Sequence, residues 1–274
     1  MSGCWINSGR LWRKITAVLI GILIFAGTLN VSATGLKNSD VTDEPGKLIA
    51  DVTHASEGFF TAGCEPGSRR MKLRVSFGED LVTYDLNKAG KAEVFPLQFG
   101  SGNYTVTLYE NVGGKMYLPV GEVSFSVSME DEQAAFLRPN QFVNYSDDSP
   151  AVQMGCKACE GLETETDKFE AIKALMKKNF TYDYILAATV KSGALPDIDS
   201  CCEKHMGICQ DLAATAVCML RTQGIYSKLV MGYADVSYHA WIVAYVDGEE
   251  VLYDPTFELH VIKQPEVYTA ERCY

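Results

Sequence analysis

The sequence predicts an α+β chain: an N-terminal all-β, sandwich-like module, followed by an α+β domain of helices and a strand pair. Three observations predict it. Between about 47 and 130, apolar and polar residues alternate with period two, most regularly at Val123, Phe125 and Val127 against Ser124, Ser126 and Ser128. From Leu212 to Leu220 the apolar residues recur at helical spacing. Beyond them, two β-prone runs, 239–246 and 249–255, meet at Asp247-Gly248, a strong hairpin signal.

The chain begins with Arg10, Arg13 and Lys14 and no acidic residue before position 34. An apolar run from Ile15 to Leu29 follows, then Val31-Ser32-Ala33, with small residues at the cleavage positions. Residues 1–33 therefore have the form of a secretory signal peptide, with an uncleaved membrane anchor as the alternative. Either way the protein is expected to be exported, secreted or held at the cell surface. Of 24 basic and 35 acidic residues, three basic ones precede Thr34, leaving a net charge of −14. Such a surface argues against nucleic acid or anionic lipid as partner, so any membrane contact runs through an uncleaved N-terminal segment. Residues 34–46 are polar and aperiodic, as in a linker.

Within 47–130, Met71, Leu73, Val75 and Phe77 alternate with Lys72, Arg74 and Ser76, and Tyr104, Val106 and Leu108 alternate with threonines. Gly113-Gly114 marks a hairpin turn and Gly100-Ser101-Gly102 a second break. The aromatic residues, including Tyr84, Phe95, Tyr109 and Tyr117, are expected to be core and cross-strand pairs rather than a ligand platform. The module is either a scaffold for the domain of 131–274 or a reader of a cell-surface polymer. Residues 134–149 look irregular, with Pro139 and Pro150 as breaks; a helix then starts at Thr164 or Thr166 with Phe169, Ile172, Leu175, Met176 and Phe180 on one face.

Gly207-Ile208-Cys209-Gln210-Asp211 leads into the apolar helix, which places Cys209 in its first turn. Unpaired N–H groups and the helix macrodipole favour an anion there, hence a thiolate. A two-residue turn at Asp247-Gly248 sets Val246 opposite Glu249 and His239 opposite Thr256, so His239 and Asp254 share a face diagonally across the hairpin. The remaining cysteines leave three readings open. Cys156-Lys-Ala-Cys159, with Cys201-Cys202 and His205, could pair as disulfides, stay free or ligate zinc, although the second half-site lacks zinc spacing. Cys218, inside the helix pattern, is expected to be a buried small hydrophobe, and His54 and His260 are isolated.

Gly-Ile-Cys-Gln-Asp-Leu-Ala, Leu-Arg-Thr-Gln-Gly-Ile, Val-Met-Gly-Tyr, His-Ala-Trp and Tyr-Asp-Pro-Thr-Phe, in that order from Gly207 to Phe257, resemble the transglutaminase-like superfamily. The resemblance implies a papain-like α+β fold for 131–274, in an exported bacterial member, with Cys209 as nucleophile, His239 as general base and Asp254 as the orienting carboxylate. Similar enzymes also carry a segment like Asn179-Phe-Thr-Tyr-Asp183 near the active site, where Tyr182 or Asp183 either lines the cleft or supports it. No cofactor is expected. Asp197-Ile-Asp199 lacks the glycine and distal Glu of a calcium loop, so the calcium activation of animal transglutaminases is not carried over. The expected partner is a protein or peptide substrate, free or at a cell surface, whose amide bonds are opened through a thioester, with water favoured over an amine as the second substrate. The alternative is a non-catalytic binding or adhesion protein that keeps the fold. Trp241, close to His239 in sequence, could wall an acceptor channel or pack in the core.

Overall fold

Alternating side chains in the N-terminal half commit the chain to strands, and the computed structural model arranges them in two antiparallel sheets. The structure describes residues 48–259 and 264–274. The expected leader, the linker and His260 lie outside these residues. Seven strands follow in order: β1 (Ile49–Asp51), β2 (Phe59–Gly63), β3 (Met71–Phe77), β4 (Asp80–Asp85), β5 (Glu93–Pro96), β6 (Gly102–Gly113) and β7 (Met116–Val127). One sheet has the order β1-β2-β5 and the other β4-β3-β6-β7. Leu73 and Val75 are fully buried while Lys72 and Arg74 point outward, as period-two patterning requires. Phe60, Tyr84, Phe95, Tyr104 and Phe125 interlock between the sheets, with Tyr84 and Phe95 ring centroids 4.9 Å apart.

Tyr109 and Tyr117 depart from the expected core placement. Tyr109 follows the buried Leu108 and so faces outward by plain alternation, while an extra residue in β7, where the partners jump from Gly121 to Pro119, turns Tyr117 outward; both tyrosines stand only partly buried beside Arg74 and Lys72 of β3.

The second half is built around one helix. Its elements are α1 (Pro150–Ala158), α2 (Glu165–Asn179), β8 (Thr181–Tyr182), α3 (Tyr184–Thr189), α4 (Ile198–Lys204), β9 (Met206–Gly207), α5 (Cys209–Thr222), β10 (Ser227–Ala234), β11 (Ser237–Val246), β12 (Glu249–Tyr253), α6 (Pro255–Leu259) and β13 (Tyr268–Cys273). Residues Asp211 to Arg221 of α5 are all buried, packed against α1, α2 and α4 and against β10 and β11 of a sheet ordered β12-β11-β10-β13. Thr164 caps α2 by accepting from Asp167 N, and Phe169, Ile172 and Met176 are buried. Pro150, expected to interrupt, instead opens α1, because a first-turn proline lacks only an N–H that has no helical partner. No described helix is long and apolar enough to cross a membrane.

The two halves share a continuous core, and Arg221 ties it together. Its guanidinium donates to Ser227 O at 2.8 and 3.0 Å, to Arg138 O at 2.5 Å and to Tyr274 O at 2.8 Å. Burial lowers its pKa to about 10, which still leaves it charged at neutral pH. Tyr274 in turn stacks on Phe142 at 3.7 Å and touches Tyr84 of the β module. Replacing Arg221 with Met removes the guanidinium from Ser227 O and Arg138 O, while Tyr274 O keeps Leu229 N at 2.9 Å; a buried carbonyl left without a partner costs about 1–3 kcal/mol, against a total stability of roughly 5–15 kcal/mol. Arg221→Met is therefore expected to lower the denaturant midpoint sharply, with β module and C-terminal domain losing structure together. A midpoint equal to that of the parent protein would show the clamp to be dispensable.

Candidate active site

Cys209 is the first residue of α5, and the chain reaches it through a narrow passage. Ile208 precedes the helix in extended conformation and offers no side-chain cap, so the first-turn N–H groups face the space around the thiol unmet by a side chain. Asp211, one turn in, reaches back: its Oδ2 accepts from Ile208 N at 3.0 Å and its Oδ1 from Asp197 N at 3.1 Å. One buried carboxylate thus holds the starts of both α4 and α5. Burial raises its pKa, and the two backbone donors oppose that rise. A Cβ at Gly207 would sit 2.8 Å from Asp211 Cβ and 2.9 Å from the Cys201 sulfur, which is why this position has none.

β9 is paired in parallel with β8, with Thr181 N donating to His205 O and Asp183 N to Gly207 O, both at 3.0 Å. The segment 179–183 therefore braces the entry to α5. Asp183 caps α3 through Leu186 N at 2.8 Å, a supporting role. Tyr182 lies beside Cys209, and its pKa is pushed up to about 12, first by burial and then by the neighbouring thiol's charge. His205, a possible zinc ligand by sequence, occupies the left-handed cap of α4.

The hairpin keeps the register read from Asp247-Gly248. Val246 pairs with Glu249 and Ile242 with Tyr253, and both turn residues have positive φ, 51° and 85°. The structure brings His239 and Asp254 together: His239 Nε2 lies 2.8 Å from Asp254 Oδ2. Asp254 is one residue beyond the end of β12, however, and not inside the strand. Its Oδ1 accepts from Thr256 N at 3.0 Å and Phe257 N at 3.3 Å, so the carboxylate starts α6 with one oxygen and holds the imidazole with the other.

With Nε2 engaged, His239 keeps Nδ1 for the thiol, and Cys209 lies near enough to the ring to raise its pKa. Only 8% of His239 and 1% of Asp254 are exposed. Burial is the largest single influence on the imidazole and would lower its pKa. The hydrogen bond to Asp254, the nearby Cys209 and the charges of both outweigh it, and the pKa rises to about 9.

Sequence reasoning missed Tyr268. Its hydroxyl donates to Asp254 Oδ2 at 3.0 Å, and its ring packs on Trp241 at 5.0 Å. Trp241 is fully buried, in the core and not on a channel wall. Tyr268 belongs to β13, which pairs with β10 through a bulge at Met231/Gly232. A Cβ at Gly232 would collide with the Thr269 carbonyl, so that glycine is what lets β13 approach. The Met-Gly-Tyr run was a usable signal for close approach; nothing in the sequence near 268 named the tyrosine as its beneficiary.

The eight described cysteines are free thiols, so the disulfide reading gives way for them. Cys201 and Cys202 have pKa values pushed up to about 12, mainly by burial, and burial raises Cys64, Cys159 and Cys218 as well. Among the described residues, no cluster of three or more His, Cys, Asp or Glu could hold a metal ion.

A family profile, the transglutaminase-like superfamily, matches residues 154–255, from within α1 to the first residue of α6. Residues 154–255 are a transglutaminase-like domain. Cys209, His239 and Asp254 all fall inside it. Solved structures similar to the chain include a candidate cysteine protease from Cytophaga hutchinsonii, at 14% identity over 72% of this chain and 78% of that one, with a TM-score of 0.41. Red sea bream transglutaminase is similar at 13% identity, over 77% of this chain and 48% of its own, with a TM-score of 0.31. A further TGase is 19% identical over 39% of this chain and 30% of that one, at a TM-score of 0.34. The chain thus spans less than half the length of either transglutaminase. No curated protein matches it.

The raised imidazole pKa has a testable sign. With a folded value near 9 above an ordinary 6.5, the charged pair's contribution to stability is full below about pH 6.5 and is lost as pH climbs through about 9. The stability gap between the parent protein and His239→Gln should therefore close on going from about pH 6 to about pH 10. In Asp254→Asn, NMR should find the imidazole titrating lower than in the parent. An unmoved midpoint would mean that the carboxylate does not hold the proton on His239.

Proposed function

We propose that the transglutaminase-like domain is a cysteine-nucleophile enzyme that opens amide bonds of a protein or peptide through a thioester. One observation carries the reading: a single buried imidazole is hydrogen-bonded to Asp254 and lies near enough to Cys209, at a helix start, for the thiol to act on its pKa. In this mechanism a proton passes from the Cys209 thiol to His239, and the thiolate sulfur attacks the substrate carbonyl carbon. The oxyanion is met by first-turn N–H groups of α5, the Cys209 N–H among them, which no side chain caps. His239 then gives its proton to the leaving amine, and the C–N bond breaks to leave an acyl-thioester. A water, deprotonated by the now neutral imidazole, attacks the thioester carbon and releases the acid and the thiol. Asp254 keeps Nε2 protonated and stabilises the imidazolium in both halves of the cycle.

Hydrolysis is favoured over amine transfer. Beating water to the thioester needs a dry acceptor channel, and Trp241, the one residue the sequence offered as a wall, is in the core. Around the cleft, Tyr182 touches Tyr184, which is 66% exposed, and Ile185 next to it is 80% exposed; on the other side Tyr238, near Cys209, is 53% exposed and stacks edge-on with Tyr233. This apolar rim favours substrates with apolar or aromatic side chains beside the scissile amide. Export, secreted or surface-held, remains part of the proposal on the strength of the basic and apolar runs in residues 1–33.

Limited iodoacetamide labelling of the folded protein should modify Cys209 ahead of the exposed Cys156, and Cys209→Ala should abolish turnover. Given a glutamine-containing protein and a labelled primary amine, the enzyme should release ammonia or new peptide ends faster than it incorporates amine. Faster incorporation would make it an amine transferase. Absence of both reactions, with Cys209 unlabelled, would favour a binding protein that keeps the fold.

A further inference from the structure

The outer face of the sheet β4-β3-β6-β7 carries a cavity of about 580 Å³ that the cleft does not explain. Its lining includes Arg70, Lys72, Arg74, Lys115, Tyr109 and Tyr117 and no acidic residue, on a chain of net charge −11. Arg70 is neutralised by a two-point ion pair with Asp85, at 2.8 and 2.6 Å. Lys72, Arg74 and Lys115 make no ion pair among the described residues.

Arg74 is the best prepared of the three. Its guanidinium lies 4.7 Å from the Tyr109 ring centre, its Nη1 donates to the Tyr109 hydroxyl at 3.1 Å, and its Nε is shut from solvent with no hydrogen-bond partner. The Lys72 ammonium sits 5.2 Å over the Tyr117 ring. Lys72 and Arg74 are two residues apart on one strand face, about 7 Å. Tyrosine rings thus fix two like charges side by side with no carboxylate in ion-pair contact, since Asp85, opposite Lys72 on β4, is taken up by Arg70, and an anion would stabilise the pair.

We propose that this cavity binds a short acidic saccharide. Its anionic groups would be held by Arg74, Lys72 and Lys115, and its hydroxyls would meet the tyrosine hydroxyls. The setting disfavours other occupants. β3 is already paired on both sides, so a peptide cannot add to it as a strand. A long phosphodiester polymer would run off the cavity onto an acidic surface.

The test is calorimetric titration of the full chain with tetragalacturonate, neutral cellotetraose and a short poly-glutamate peptide. The acidic saccharide should bind with an affinity that falls as salt is added, and cellotetraose should not bind. Arg74→Gln and Lys72→Gln should each weaken binding about tenfold or more, as expected for hydrogen bonds to a charged group. Lys115→Ala, on an exposed hairpin where folding is not at stake, should weaken it too. All three variants should keep the parent's turnover at Cys209. Absence of binding by tetragalacturonate, indifference to all three substitutions in folded protein, or tighter binding of the peptide would each overturn the proposal.

Discussion

The hydrogen bond between His239 and Asp254 is the constraint on which the rest of the domain depends. Taking an imidazole and a carboxylate out of water is costly unless each finds polar partners. Asp254 meets that condition with four: His239, the Tyr268 hydroxyl and the N–H groups of Thr256 and Phe257. Each comes from a different requirement of the fold. The hairpin register delivers His239, the turn into α6 delivers the two N–H groups, and β13 delivers Tyr268. A carboxylate so fully occupied has little freedom to rotate, so the imidazole it holds is presented to Cys209 in one orientation.

The same economy of buried polar groups shapes the Cys209 side of the site. Asp211 is the only acid inside α5, and it is spent on the helix start and not on the thiol. Ile208 leaves the first turn of that helix open, in contrast with α2, α3 and α4, whose Thr164, Asp183 and Asp197 cap them with side-chain oxygens. The uncapped start costs some helix stability, of order 1 kcal/mol. Its helix is buried along nearly its whole length, which outweighs such a loss, and the open N–H groups remain available to an anion. Most other described thiols lie in the opposite situation, buried with raised pKa values, so reactivity is expected to concentrate at Cys209.

The β module is joined to this machinery as part of one folding unit. Arg221, near the end of α5, binds the connection from the β module at Arg138 and the main chain at Tyr274. Tyr274 sits between Phe142 and Tyr84, so an aromatic column runs from the C-terminal sheet into the sandwich. Both faces of the β module thus have separate work: the inner one builds a core shared with the domain, and the outer one presents cations braced on tyrosines.

The sequence by itself determined what local patterning and turn chemistry control. Period-two alternation specified the strands of the module, a threonine at 164 or 166 the start of α2, and helical spacing from Leu212 the buried α5. Asp247-Gly248, with two residues that tolerate positive φ, set a register in which His239 and Asp254 converge. Those properties depend on neighbours a few residues away or on a single short turn. Tertiary structure alone decided the rest. Pro150 could break a helix or open one, and only its place at the first turn of α1 selects the second. Tyr117 left the core because an extra residue in β7, opposite Leu108 and Tyr109, shifted the alternation of that strand. Tyr268 reached Asp254 because β13 lies against Gly232, 36 residues earlier in the chain, where a missing Cβ makes room. Contacts between residues so far apart are set by how whole sheets and helices stack, and no local pattern in the chain encodes them.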